Sequence, residues 1–286
     1  MKKVILTAGL WVGMLFGAAA QTTPDSASYA KRKLKIDEIN LVSSYYQQDG
    51  NNSAVTGGIG TEALKDYANS FDIKMSKYDI YDRQHNFTLD FNIDYYTSAS
   101  SDNIDPRSIS GASSRDIHIY PSISWSMKDN RTRITKGLSY AYSTEWDYKS
   151  HGFTGSFAIA SKDNNREFSA KASAFIDRWT VILPIELRDA TTTTGQRTPQ
   201  NTKPRNSFNV ALSLSQVINE RLQLMAVVEP SYQEGLLSTP YHRVYFTDNT
   251  VTVEKLPGSR LKLPIGLRAN YFLGDNIILR GFYRYY

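Results

Sequence analysis

The chain has 286 residues, 33 of them basic and 28 acidic, and contains no cysteine. The last point excludes disulfides, thiolate metal sites, cysteine catalysis and anchoring through a lipidated cysteine. Lys2 and Lys3 precede an apolar run from Val4 to Gly17 and then Ala18, Ala19 and Ala20, the layout of a secretory signal peptide over residues 1–20. Taking those two lysines from the 33 leaves 31 basic residues against 28 acidic, a net charge of about +3, too small a surplus to argue for nucleic acid. Beyond Gln21 no stretch approaches the run of about 18 apolar residues that marks a spanning helix, so a membrane-spanning form would have to be built from strands.

Residues 21–36 read as an N-terminal periplasmic segment, and residues 37–46 and 69–79 as a first and second strand. The clearest strand is His85 to Thr97, where Phe87, Leu89, Phe91, Ile93 and Tyr95 alternate with Thr88, Asp90, Asn92, Asp94 and Tyr96. Successive strand side chains point to opposite faces, so this segment has one oily and one wet side. Alternation returns from Ile117 to Met127, where Pro121 removes a ladder donor and predicts a bulge. In residues 132–148, Leu138, Tyr140, Tyr142 and Trp146 oppose Ser139, Ser143, Glu145 and Asp147. The pattern continues through residues 153–162, 166–177, 206–218, 221–233, 260–273 and 277–286, giving eleven strands.

Many of these segments hold about ten residues or more, enough when tilted to cross the roughly 25 Å apolar band of an outer-membrane barrel, whereas soluble strands average about five to six. The 19 Tyr, 12 Phe and 4 Trp supply the rings such a barrel gathers in its interfacial girdles. The connectors also alternate. Short polar turns lie at residues 79–84, 128–131, 162–166, 219–220 and 274–276; longer ones lie at 47–69, 98–115, 178–206 and 234–260, with a shorter link from Lys149 to Gly152. Short periplasmic turns and longer extracellular loops are the topology of this class. The predicted fold is therefore an all-β, antiparallel transmembrane outer-membrane β-barrel over residues 37–286, with outer-membrane lipid and the barrel-insertion machinery as partners. Single-chain bacterial barrels have even strand numbers, and the last strand puts Arg280 and Arg284 on the same face as Tyr286. The expectation is a chain that lacks its last strands, with twelve or more in the complete barrel.

Three segments carry a resemblance: residues 49–62 (DGNNSAVTGGIGTE), 94–106 (DYYTSASSDNIDP) and 110–113 (SGAS). In this order they resemble a domain-of-unknown-function family of envelope proteins from Bacteroidetes and related Gram-negative bacteria, and the resemblance extends from about Lys35 to the end. It implies an outer-membrane barrel, usually longer than this chain, whose genes often lie near those for a flavin transferase and a thioredoxin-like protein. That hints at a redox setting. The family has no established catalytic residues to carry over.

The charged residues of the polar face are the site candidates. Asp90, Asp94, Glu145, Asp147, Lys171, Asp177, Glu229, Lys262, Arg268, Arg280 and Arg284 read as lumen-facing, the acidic ones mostly early and the basic ones late. Such a set either plugs a narrow barrel or places a transverse field across a pore. Gly57, Gly58 and Gly60 form a loop that needs positive φ or folds inward as a constriction. Asp102, Asn103 and Asp105, with Asp116 further on, offer oxygen ligands for a surface Ca²⁺, although Asx turns explain such loop residues better. His118 shares a face with Ser122 and Ser124, a Ser-His pair for which the sequence nominates no orienting third group. No cofactor, bound metal or catalytic residue is expected. The leading expectation is a pore or transporter for a small polar solute. The alternatives are a scaffold barrel anchoring an envelope complex, and a membrane-embedded hydrolase.

Overall fold

The structure, a computed structural model, describes residues 32–49, 60–61, 63–97, 100–101, 115–181, 201–237, 243–248, 250–253, 255–274 and 276–286. The expected signal peptide, Gly57, Gly58, Asp102, Asn103 and Asp105 lie outside these residues.

The described chain is all-β. Its main sheet has 14 strand segments, and joining the halves that flank Pro121, Pro230 and Pro264 leaves eleven strands. They are β1 (Lys35–Gln48), β2 (Leu64–Tyr78), β3 (Gln84–Thr97), β4 (Arg115–Ile119 continued by Ser122–Asp129), β5 (Ile134–Thr144), β6 (Tyr148–Ala160), β7 (Arg166–Val181), β8 (Asn201–Asn219), β9 (Leu222–Val228 continued by Ser231–Gly235), β10 (Ser259–Lys262 continued by Ile265–Leu273) and β11 (Ile277–Tyr285). Each pairs antiparallel with the next in the chain. This meander agrees with the expected strand order. Among the described residues no ladder joins β1 to β11, so these are the two edges of the sheet.

The predicted bulge at Pro121 does not form. Asp90 faces Ser122 and Ile93 faces Ile119 in one unbroken register, because the Pro121 carbonyl still accepts from the Tyr142 N–H at 3.0 Å. One donor is lost and the pairing is kept. Pro230 and Pro264 behave alike, accepting from Val210 N–H at 3.0 Å and Glu229 N–H at 2.9 Å. Register shifts occur instead between Ile36 and Glu38 and between Val217 and Asn219.

A second correction concerns the link between β5 and β6. It is not Lys149–Gly152, which pairs with Ala141–Thr144 on one side and Phe175–Arg178 on the other. The turn is Glu145–Asp147, closed by Glu145 N–H donating to Tyr148 C=O at 2.8 Å. Gly152 is small for packing rather than for turning, since a Cβ there would sit 3.0 Å from the Phe175 ring. Glu145 and Asp147 accordingly belong to a turn and not to a strand face.

The short turns share a device. An Asp or Asn carboxylate or amide oxygen accepts backbone N–H groups two or three residues on: Asp129 from Arg131 and Thr132, Asp163 from Asn165, Asn219 from Arg221 and Leu222. Asp82, Arg133 and Asn164 in these turns take positive φ. Asp79 is the most heavily used of the set. Its Oδ1 accepts from the Tyr81 and Arg83 N–H groups at 2.9 and 3.0 Å, and its Oδ2 accepts from Arg83 Nε at 2.7 Å and faces His85 Nε2 at 3.2 Å. Burial works to raise the pKa of this carboxyl, but the Arg83 and His85 side chains and the two backbone donors hold it well below the usual carboxylate range. A depressed folded pKa contributes stability above the ordinary value of about 4 and loses it as pH falls through the folded value. Asp79→Asn is therefore expected to lower resistance to heat unfolding at neutral pH, with the gap from wild type closing progressively below about pH 4; melting followed by circular dichroism across a pH series checks this.

Candidate functional site

Paired residues share a face, so the registers sort every side chain. One face carries Leu41, Phe71, Phe91, Ile123, Leu138, Phe153, Phe208, Val210 and Leu267. All of these but the half-buried Phe71 are exposed, Leu41 by 70% and Leu138 by 62%. Tyr45, Tyr67 and Tyr95 sit side by side on it, towards the long connections. The other face is polar, and there the burial lies: Asp116, Ser150, Asp177 and Ser207 are buried, against Val181 and Pro264 among the apolar side chains of the described residues. A concavity of about 850 Å³ opens on the apolar face, lined by residues such as Trp125, Leu138, Phe153, Ala172 and Phe208, with no charged group. Polar chemistry belongs to the opposite side.

The predicted lumen residues distribute over that polar side without forming one cluster. Asp90 accepts from Ser122 Oγ at 2.8 Å. Lys171 lies opposite Ser156 and Ala211, and Lys262 opposite Ser231. Glu229 pairs with Arg284, and the Arg268 guanidinium stands 5.5 Å over the Phe282 ring. Gly60 pairs with Ser101, a short ladder between the first two long connections. Asp94, Glu145 and Asp147 do come together, at the long-connection end of β3 to β6.

His118 is the hub there. Its Nε2 is 2.8 Å from Ser143 Oγ on the neighbouring strand, and its Nδ1 faces Glu145 Oε1 at 3.6 Å and Asp94 Oδ2 at 3.9 Å. The Tyr120 ring stacks on it at 4.2 Å. The expected serines, Ser122 and Ser124, are not its partners, because residues along one strand stand further apart than residues facing across a ladder. The sequence offered no means of pairing His118 with Ser143, as that contact depends on the β4–β5 register. What the group can do is move a proton: an imidazole between a hydroxyl and two carboxylates is arranged as a base.

Beside it, Asp116, Glu145 and Asp147 bring carboxylate oxygens within 4.8 Å of one another. Asp116 is 5% exposed. Its Oδ1 accepts from Ile117 N–H at 2.7 Å and Trp146 N–H at 3.2 Å, which fixes the β5–β6 turn over it. Burial pushes the Glu145 carboxyl up, with repulsion from Asp116 and Asp147 adding to it against the attraction of His118. Burial and the Asp116 charge likewise raise Asp147.

One step along the sheet, Ser150, Asp177 and Arg205 form a row across β6, β7 and β8. Asp177, 3% exposed, accepts from Ser150 Oγ at 2.7 Å and Arg205 Nε at 3.3 Å. Arg205 also donates to Tyr148 OH at 2.9 Å, with its guanidinium 5.2 Å from the Tyr148 ring and 5.4 Å from that of Trp179. Removing one partner of a buried pair leaves an uncompensated charge. Arg205→Ala is expected to destabilise the fold by about 3 kcal/mol, measured as the shift in urea midpoint, and Arg205→Lys by less because one ammonium replaces a stacked planar fork.

No curated protein matches the sequence significantly. A family model described as "Protein of unknown function (DUF3570)" matches residues 5–286, nearly the whole length, and the chain belongs to that family.

Proposed function

We propose that the protein is an outer-membrane β-barrel, exported through its N-terminal signal segment, that passes a small polar solute. The observation that carries this is the inversion of burial: exposed Leu, Ile, Phe and Tyr on one face and buried Asp and Ser on the other. A water-soluble sheet of this size would hide its oily face. A sheet with lipid on that side and water on the other keeps this distribution at no penalty. Strand length supports the reading, as β1, β2 and β3 hold 14, 15 and 14 residues, ample for a tilted crossing that needs about 9–11. Edge strands cannot face lipid with unpaired backbone groups, so in the membrane β1 and β11 pair, with each other or through intervening strands.

Of the polar-face residues singled out from the sequence, Asp90, Asp94, Glu145 and Asp147 lie between β3 and the β5–β6 turn, and Lys171, Lys262, Arg268, Arg280 and Arg284 lie from β7 onward, a layout that favours a field across the water-filled side. Purified full-length protein in planar bilayers is expected to give discrete conductance. Lys171→Glu together with Lys262→Glu is expected to shift its ion preference towards cations by severalfold. A correctly folded protein that never conducts would leave the scaffold role standing in place of the pore.

A second reading rests on the His118–Ser143 contact: an embedded hydrolase in which Ser143 Oγ attacks an ester carbonyl and passes its proton to His118 Nε2. Ser143→Ala is expected to abolish hydrolysis of a soluble p-nitrophenyl ester while leaving conductance in place. Equal turnover in wild type and variant removes this reading.

A further inference from the structure

We propose that Asp116, Glu145 and Asp147 hold a divalent cation of the calcium class at the long-connection end of the polar face. Asp116 Oδ2 is shielded from solvent and has no hydrogen-bond partner among the described residues, although the side chain around it is 5% exposed. Its sister oxygen is held by Ile117 N–H and Trp146 N–H, so the carboxylate cannot swing away to find a donor. Buried carboxylate oxygens are paired in nearly all folded proteins, and a lone one beside two further carboxylates is doubly unfavourable.

A cation resolves both the missing partner and the repulsion. The donors here are carboxylate oxygens, which suit hard ions. A Ca²⁺–O distance of about 2.3–2.6 Å sets oxygens on opposite sides of one ion roughly 4.6–5.2 Å apart, whereas Mg²⁺ at about 2.0–2.1 Å requires no more than about 4.2 Å. The three carboxylate oxygens lie within 4.8 Å of one another, inside the span one Ca²⁺ bridges, and Ca²⁺ accepts irregular carboxylate geometry where Mg²⁺ demands a near-ideal octahedron and keeps its waters. The scaffold is built before any ion arrives. Glu145 N–H to Tyr148 C=O closes the turn, and Thr180 N–H to Asp147 C=O at 2.7 Å ties it to β7. Asp177 shows the contrast: equally buried on the same face, it has Arg205 and Ser150 and leaves no oxygen wanting.

The site does not depend on the pore reading, and its test is independent of conductance. Full-length protein is titrated with Tb³⁺, read through emission sensitised by Trp146, and with Ca²⁺ as competitor and by calorimetry. One equivalent is expected to bind, with Ca²⁺ displacing Tb³⁺ at about 10⁻⁴–10⁻³ M, the range of extracellular modules, and Mg²⁺ displacing it less well. Asp116→Asn and Glu145→Gln are each expected to weaken Ca²⁺ by at least about tenfold. Asp90→Asn, elsewhere on the polar face, is expected to leave it unchanged. Glu145→Gln keeps the backbone caps on Asp116 intact, so it reports on the ion even where Asp116→Asn fails to fold. The proposal is overturned by the absence of saturable Ca²⁺ binding, or by saturable binding that Glu145→Gln does not weaken.

Discussion

Everything in this structure depends on the register of the antiparallel ladders. Side-chain direction has a period of two, so a slip of one residue anywhere would carry Phe71, Phe91 or Phe208 to the polar face and Asp90 or Asp177 to the apolar one. The sheet holds its register by two means. Turn carboxylates and amides at Asp79, Asp129, Asp163 and Asn219 clamp the short connections through backbone N–H groups. At Pro121, Pro230 and Pro264 the missing donor is tolerated because each proline's carbonyl keeps its cross-strand bond. The two register shifts, near Ile36 and Val217, lie towards strand ends, where few side chains follow to be misplaced.

With the faces fixed, the polar side becomes a surface on which charge is arranged by strand rather than by sequence distance. Asp72 and Asp90 stand directly opposite one another across β2 and β3, a pairing unfavourable by itself. Asn40 Nδ2 relieves the first at 3.0 Å and Ser122 Oγ the second at 2.8 Å. Further along, Arg205 and Arg284 each meet a carboxylate. In these four cases another strand supplies the donor, and the supply comes from residues far apart in the chain.

That separation explains what the sequence alone could disclose. Period-two alternation is local, so the strands are legible and their number and order follow from it, including β1, whose Leu41 and Tyr45 sit opposite Phe71 and Tyr67. The candidates on the polar face were legible for the same reason. Contacts across ladders were not. His118 meets Ser143 because β4 and β5 are in a particular register, and nothing near His118 in the chain announces it. The β5–β6 link was misplaced because Gly152 reads as a turn residue, whereas its lack of a side chain makes room for Phe175. Moving that turn to Glu145–Asp147 is what carries two carboxylates to Asp116.

Two buried aspartates on one face of one sheet therefore ask to be compared. Asp177 sits between β6 and β8, where Ser150 and Arg205 are in register with it and satisfy both oxygens. Asp116 sits where β4 meets the β5–β6 turn, and its neighbours in register are Tyr96 and the turn's own acids. The fold is the same on both sides, the burial is the same, and the side chain is the same. What differs is the strand next door: Arg205 on β8 stands in register with Asp177, whereas the residue in register with Asp116 on β3 is Tyr96. A carboxylate placed there has to draw its counter-charge from solution, and that links a local vacancy in hydrogen bonding to the way acids and bases are laid out over the whole polar face.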